Sequence, residues 1–84
     1  PAFLMQQMEW REALAQAGTS HEVEALEAEV RKAVSSLTSQ LRSQLDDRSD
    51  LTQGAAEAAQ TVQRLMFLSK FQQDIDRKMD ALQI

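Results

Sequence analysis

Apolar residues recur at intervals of three and four along most of the chain, the spacing that places side chains on one face of an α-helix. We predict a first helix from about Ala2 to Ala17, a second from about Ser20 to Leu45, and a third that ends near Leu82. The buried stripe of the second helix is predicted to be Val23, Leu26, Val30, Val34, Leu37, Leu41 and Leu45. The stripe of the third helix is predicted to be Ala58, Val62, Leu65, Leu68, Phe71, Ile75, Met79 and Leu82.

Residues typical of helix ends separate these three stretches. Gly18 follows the first helix where a left-handed residue commonly stands, and Thr19 with Glu22 matches the capping box of a second helix. The run from Asp46 to Asp50 is a polar break with the composition of a turn, and Asp50 is suited to cap the third helix. A calcium-binding loop is the alternative for this break, but the glycine and the terminal Glu of such a loop are missing.

The first helix has more apolar surface than a single buried stripe can use. At about 100° per residue, Phe3, Trp10, Leu14 and Ala17 fall within about 40° of one line and form an ordinary core-facing stripe. A second face, roughly 100–200° around the helix, carries Leu4, Met5, Met8, Glu12 and Ala15, with Glu9 beyond it. Either this helix is enclosed in a larger assembly, or its second face is offered to a partner.

The third helix also has apolar residues away from its predicted stripe. Met66 lies nearly opposite the stripe, and Phe67 lies roughly 100° from its centre. Methionine is common on surfaces that bind other proteins because its flexible side chain adapts to a partner. The alternative is that an asymmetric bundle buries both residues in its core.

Composition and charge narrow the fold and the function. The chain has 84 residues, 43% of them hydrophobic and 26% charged, with only two Gly and one Pro, which favours a single all-α domain over residues 1–84. We predict a three-helix bundle of two long helices and a shorter first one, with left-handed coiled-coil-like packing. The net charge of −4 argues against nucleic-acid binding. The chain begins with Pro1 instead of Met, so we expect it to be a piece of a longer protein.

No arrangement of residues suggests catalysis or a cofactor. His21 is the only His and has no nucleophile motif around it, and the Glu residues of the second helix do not converge. There is no Cys, no glycine-rich phosphate loop and no metal-ligand spacing. No apolar run approaches the roughly 20 residues that a membrane span needs, and the polar positions are too poor in Lys and Arg for a membrane-surface helix. We therefore expect a binding protein, with no enzymatic activity, no cofactor and no metal.

Two segments resemble the C-terminal domain of HscB-type J-protein co-chaperones. FLMQQMEWRE, from Phe3 to Glu12, resembles the family's FLMEQLELRE segment, and TVQRLMFLSKF, from Thr61 to Phe71, resembles its VRKLRFLDKL segment. The resemblance implies a three-helix domain that binds the IscU-type scaffold on which iron–sulfur clusters are assembled. In that family a J domain with a His-Pro-Asp motif stimulates a specialised Hsp70 called HscA, and residues 1–84 contain no such motif.

The same resemblance implies a partner-binding surface. The family's scaffold-contacting positions correspond to Leu4, Met5, Met8, Glu9 and Glu12 on the first helix and to Phe67 on the third, and we place Met66 at the edge of that surface. Gln16 stands where the family has an acid, and Met66 stands where it usually has a basic residue. The alternative function is a helical oligomerisation module that uses the second face of the first helix. The resemblance favours the bacterial cytoplasm over the mitochondrial matrix.

Overall fold

The computed structural model describes residues 2–46 and 51–83, and this part of the chain forms three helices and no strand. They are α1 (Ala2–Gln16), α2 (Ser20–Asp46) and α3 (Leu51–Leu82). The helices pack into an elongated bundle of 52 × 21 × 15 Å, which confirms the all-α prediction. The predicted ends of α1 and α2 are each within one residue of the observed ends. The predicted turn at 47–50, the Asp50 cap and the alternative calcium loop lie outside the described residues.

The connection between α1 and α2 is tight, and one of its predicted features is wrong. Glu22 N–H donates to Thr19 Oγ1 at 3.2 Å, and the Thr19 hydroxyl donates to Glu22 Oε1 at 3.1 Å, so Thr19 caps α2 as predicted. Gly18 does not have the left-handed conformation expected of it, because no described glycine has a positive φ. The final turn of α1 instead closes with Ala17 N–H donating to Ala13 O at 3.0 Å, so no left-handed residue is needed there.

The core lies between α2 and α3, where most of the contacts between helices occur. Four residues of the predicted α2 stripe are buried, namely Val23, Leu26, Val30 and Leu37, and four of the α3 stripe are buried, namely Ala58, Leu68, Phe71 and Ile75. The prediction fails at two positions: Leu45 is 63% exposed and Val62 is 41% exposed.

The length of α1 explains the exposure of Leu45. Its 15 residues make it little more than half as long as the 27-residue α2. Because the two helices are antiparallel, Ala2 and Phe3 at the start of α1 lie beside Ala33 and Leu37 of α2. Beyond Leu37 only two helices remain, and a pair of helices covers a narrower face of each than a bundle of three.

Thr61 occupies the buried position next to Val62. It is 2% exposed, and its hydroxyl lies 2.9 Å from Gln44 Oε1 and 3.1 Å from Glu57 O. The Thr61 hydroxyl therefore has hydrogen-bond acceptors within reach, and this polar side chain can be buried without an unsatisfied donor. The pattern had instead predicted that the neighbouring Val62 is buried.

An aromatic cluster holds α1 against α3. The Trp10 ring stacks on Phe71 at 6.3 Å, Phe71 stacks on Phe67 at 5.7 Å, and Phe67 meets the edge of Phe3 at 6.0 Å. Trp10 is 6% exposed, and its Nε1–H has no hydrogen-bond partner. The core-facing stripe predicted for α1 is therefore correct, and its position fixes which face of α1 points outward.

Candidate functional site

The outward face of α1 carries three large apolar side chains that the bundle leaves uncovered. Leu4 is 60% exposed, Met5 is 61% exposed and Met8 is 62% exposed. Because Phe3, Trp10 and Leu14 of the same helix pack into the core, these three side chains cannot turn inward without unpacking α1. We call Leu4, Met5, Met8, Glu9 and Glu12 the α1 face. A cluster of large apolar side chains of this kind is typical of a protein-binding surface.

Two carboxylates lie beside the apolar side chains of the α1 face. Glu9 and Glu12 are both exposed, and Gln16 Nε2 donates a hydrogen bond of 3.2 Å to Glu12 Oε1. Gln16, which stands where the resembled family has an acid, thus restrains the Glu12 side chain without adding charge. The α1 face combines an apolar centre with a negatively charged side, and this combination suits a partner with an apolar patch next to basic residues.

Phe67 is half-buried, and it supports α1 as well as reaching the surface. Its ring contacts Phe3 and Phe71, and the Arg11 guanidinium lies over it at 5.4 Å from the ring centroid. A second cation–π contact places Arg64 over Phe3 at 5.1 Å. Phe67 therefore helps to fix the orientation of the α1 face, and its removal would affect the packing of α1.

Met66 is 67% exposed and lies about 100° around α3 from Phe67. The structure brings the five residues of the α1 face together on one helix and places Phe67 beside them through its contact with Phe3. Phe67 packs against the core and Met66 does not, so the two side chains point in different directions.

Arg11 also belongs to this region, although the sequence pattern did not single it out. It covers Phe67 and lies within about 20° of Leu4 on the helical wheel, at the border between the core stripe and the α1 face. Its position on the helical wheel was an indication of this packing, because a long cationic side chain at such a border commonly lies along apolar surface.

Other kinds of site have little support in the described part of the chain. No group of three or more His, Cys, Asp or Glu residues there could hold a metal ion. His21, the single histidine, is exposed in the first turn of α2. None of the described helices is both long enough and apolar enough to span a membrane.

Comparison with known proteins identifies the family. A family model for the HSCB C-terminal oligomerisation domain matches residues 1–76. The chain is 41% identical to a co-chaperone protein HscB homolog of Aromatoleum aromaticum, over 98% of this chain and 46% of that protein. Homologs of the same name from Azoarcus sp. and Burkholderia mallei are each 42% identical, over 99% of this chain and 46% of each relative. No solved structure matches.

The chain spans about half the length of the curated relatives that it matches. The family model nevertheless covers most of the chain, and it is a model of the family's C-terminal domain. The chain therefore belongs to the HscB co-chaperone family and corresponds to its C-terminal domain.

Proposed function

We propose that this chain is the part of a co-chaperone that binds an IscU-type scaffold protein of iron–sulfur cluster assembly. In this proposal the α1 face is the docking surface, Phe67 and Met66 lie at its edge, and the bound scaffold is delivered to an HscA-type Hsp70. Membership of the HscB family supports the co-chaperone role. The resemblance of the two segments described above supports the choice of scaffold.

The observation that carries the proposal is the exposure of Leu4, Met5 and Met8 on one face of a helix whose other face is fixed in the core. Large apolar side chains at the centre of an interface typically supply most of the binding free energy. Glu9 and Glu12 would orient the scaffold by pairing with its basic groups, and such pairs act more on association rate and specificity than on affinity.

The aromatic cluster supports the proposal by making the docking surface rigid. Because Phe67 contacts Phe3, Phe71 and Arg11, the start of α1 is held in place before any partner arrives. A surface that is ordered in advance loses less conformational entropy on binding. The side chains of Met5 and Met8 remain flexible enough to adapt to the partner.

The test is a titration of isotope-labelled chain with unlabelled IscU-type scaffold, followed by NMR. We expect signal changes at the α1 face and at Phe67. Leu4→Ser should weaken binding at least tenfold, because truncating a central anchor costs on the order of 2 kcal/mol. The matched control is Leu45→Ser, the same substitution at a leucine of nearly equal exposure, 63% against 60%, on the far end of α2.

Both serine variants should unfold at nearly the same temperature as the parent chain, because neither residue is buried. Equal losses of binding in the two variants, or no signal change at high scaffold concentration, would contradict the proposal. Replacing Leu4, Met8 and Phe67 together by Ala is a poorer test, because Phe67 packs in the aromatic cluster and its loss would destabilise α1.

Self-association is the second candidate function, and the description of the matching family model as an oligomerisation domain favours it. The α1 face would then pack against a second copy of the chain. Sedimentation over a wide concentration range separates the candidates. Concentration-dependent dimers that Leu4→Ser abolishes and Leu45→Ser preserves would support self-association through the α1 face.

In the proposed co-chaperone, stimulation of the HscA-type ATPase belongs to a J domain outside residues 1–84. The reason is that His-Pro-Asp, the motif on which that stimulation depends in the resembled family, does not occur in the chain. We propose the bacterial cytoplasm as its location, in keeping with the bacterial relatives. The chain alone should bind the scaffold and leave the ATPase rate unchanged, and an increase in that rate would contradict this division of labour.

A further inference from the structure

A groove between the end of α1 and the second half of α3 has the opposite electrostatic character to the rest of the molecule. Its volume is about 500 Å³. We call it the basic groove, and its walls include Arg11, Leu14, Phe71, Asp74, Arg77 and Lys78. Three of these side chains are cationic and one is anionic, although the whole chain has a net charge of −4.

The cations of the basic groove are only partly neutralised. Asp74 Oδ1 lies 3.7 Å from Arg77 Nη1, in an exposed pair of the kind that contributes little to stability. Arg11 and Lys78 have no carboxylate partner in the described part of the chain. The Arg11 guanidinium is held over the Phe67 ring at 5.4 Å, which orders the cation and leaves its N–H groups able to donate to a ligand.

The floor of the groove is apolar. Phe71 is 2% exposed and lies at the bottom, and Leu14 is half-buried beside it. Ala15 also lines the groove, and its small side chain leaves room for an incoming group. Cations around an apolar floor match a ligand that presents carboxylates around an aliphatic side chain.

From this charge complementarity we propose that the basic groove binds a short acidic segment of another protein. An aliphatic side chain of the segment lies between Leu14 and Phe71, and its carboxylates pair with Arg11 and Lys78. An extended nucleic acid is a poorer match, because three cations in an acidic chain neutralise few phosphates. Arg11 borders the α1 face, since Leu4 lies about 20° from it around α1, whereas Phe71, Arg77 and Lys78 of the groove belong to α3.

The test uses the whole chain and a dye-labelled synthetic peptide in which Glu and Leu alternate, with the same peptide carrying Gln for Glu as its control. Fluorescence anisotropy should show saturable binding of the Glu peptide that weakens as salt is added, and much weaker binding of the Gln peptide. Trp10, the only Trp, stacks on Phe71 at 6.3 Å, so its emission gives a second reading with unlabelled peptide.

The variant Arg77→Glu with Lys78→Glu should weaken binding of the Glu peptide about tenfold or more. The matched control is Arg42→Glu with Lys32→Glu, which reverses one Arg and one Lys on exposed positions of α2 and changes the net charge equally. The control should change the affinity by less than about twofold, through weak long-range electrostatics alone. If the charge reversals disturb folding, Arg77→Gln with Lys78→Gln tests the same groups.

The proposal is overturned by equal losses in the two charge-reversed variants, by equal binding of the Glu and Gln peptides, or by the absence of binding. Displacement of the peptide by a single-stranded oligonucleotide at lower concentration would assign the groove to nucleic acid. If Arg77→Glu with Lys78→Glu converted a dimer into a monomer, the occupant would be a second copy of the chain. Scaffold binding should survive in Arg77→Glu with Lys78→Glu. Failure of the proposed peptide binding is therefore distinguishable from failure of the proposed scaffold binding.

Discussion

Gly18 lies between α1 and α2 without needing the conformational freedom of glycine. Its φ is not positive, and a Cβ added at this position would meet no atom within 4 Å. Gly18→Ala should therefore stabilise the chain by about 0.4–1 kcal/mol, because it reduces the conformational entropy of the unfolded state. Urea denaturation of the two proteins measures the difference. A clear loss of stability would indicate that Gly18 adopts the left-handed conformation that its place after α1 suggested.

Thr61 and Val62 provide a matched pair of substitutions at the point where the pattern of α3 is misleading. Thr61→Val removes the hydroxyl that is 2.9 Å from Gln44 Oε1 and 3.1 Å from Glu57 O, and should destabilise the fold by about 1 kcal/mol. Val62→Thr changes a side chain that is 41% exposed and should stay within about 0.5 kcal/mol of the parent. Thermal unfolding compares them. A larger loss of stability in Val62→Thr than in Thr61→Val would mean that Val62 is the buried residue, as its spacing predicted.

At the scale of the helices, periodicity was enough to predict all three elements and most of the core. It predicted the burial of Val23, Val30, Leu68 and Ile75, which belong to one core cluster with Trp10 of α1. It failed at Leu45, which lies beyond the reach of α1, and at Val62, where the neighbouring Thr61 takes the buried position. A helical wheel assigns every apolar residue on a line to the core, whereas burial also depends on how far each neighbouring helix extends.

The candidate site was predictable to the extent that it depends on α1 alone. The helical wheel placed Leu4, Met5 and Met8 away from the core, and all three are exposed. The half-burial of Phe67 and the choice of its ring as the one that Arg11 covers could not be predicted in this way, because both depend on how α1 lies across α3. Local spacing determines the faces of one helix, and the packing between helices decides which faces meet.

The attachment of α1 leads to a prediction about its local stability. Most contacts between helices join α2 to α3, and α1 is held mainly by its aromatic and aliphatic stripe. Segments with fewer buried contacts open at a lower free energy. Amide hydrogen exchange should therefore be faster in α1 than in the middle of α2 and α3, and bound scaffold should slow exchange in α1 most. Exchange that is equally slow in all three helices would show that α1 does not open separately.

For the whole molecule, the two candidate functions compete for one surface. The bundle is only 21 × 15 Å in cross-section, so a scaffold seated on Leu4, Met5 and Met8 leaves no room there for the same face of a second copy. If the chain also self-associates through this face, each partner opposes the binding of the other by mass action.

We therefore expect that adding scaffold dissociates any dimer and yields a complex of one chain with one scaffold. Sedimentation velocity with increasing scaffold measures this directly, and Leu4→Ser should weaken the dimer and the complex together. A larger particle that contains two chains and a scaffold would place self-association on another surface. In that event Leu4→Ser would weaken the scaffold complex and leave the dimer intact, so the variant identifies which partner the α1 face binds.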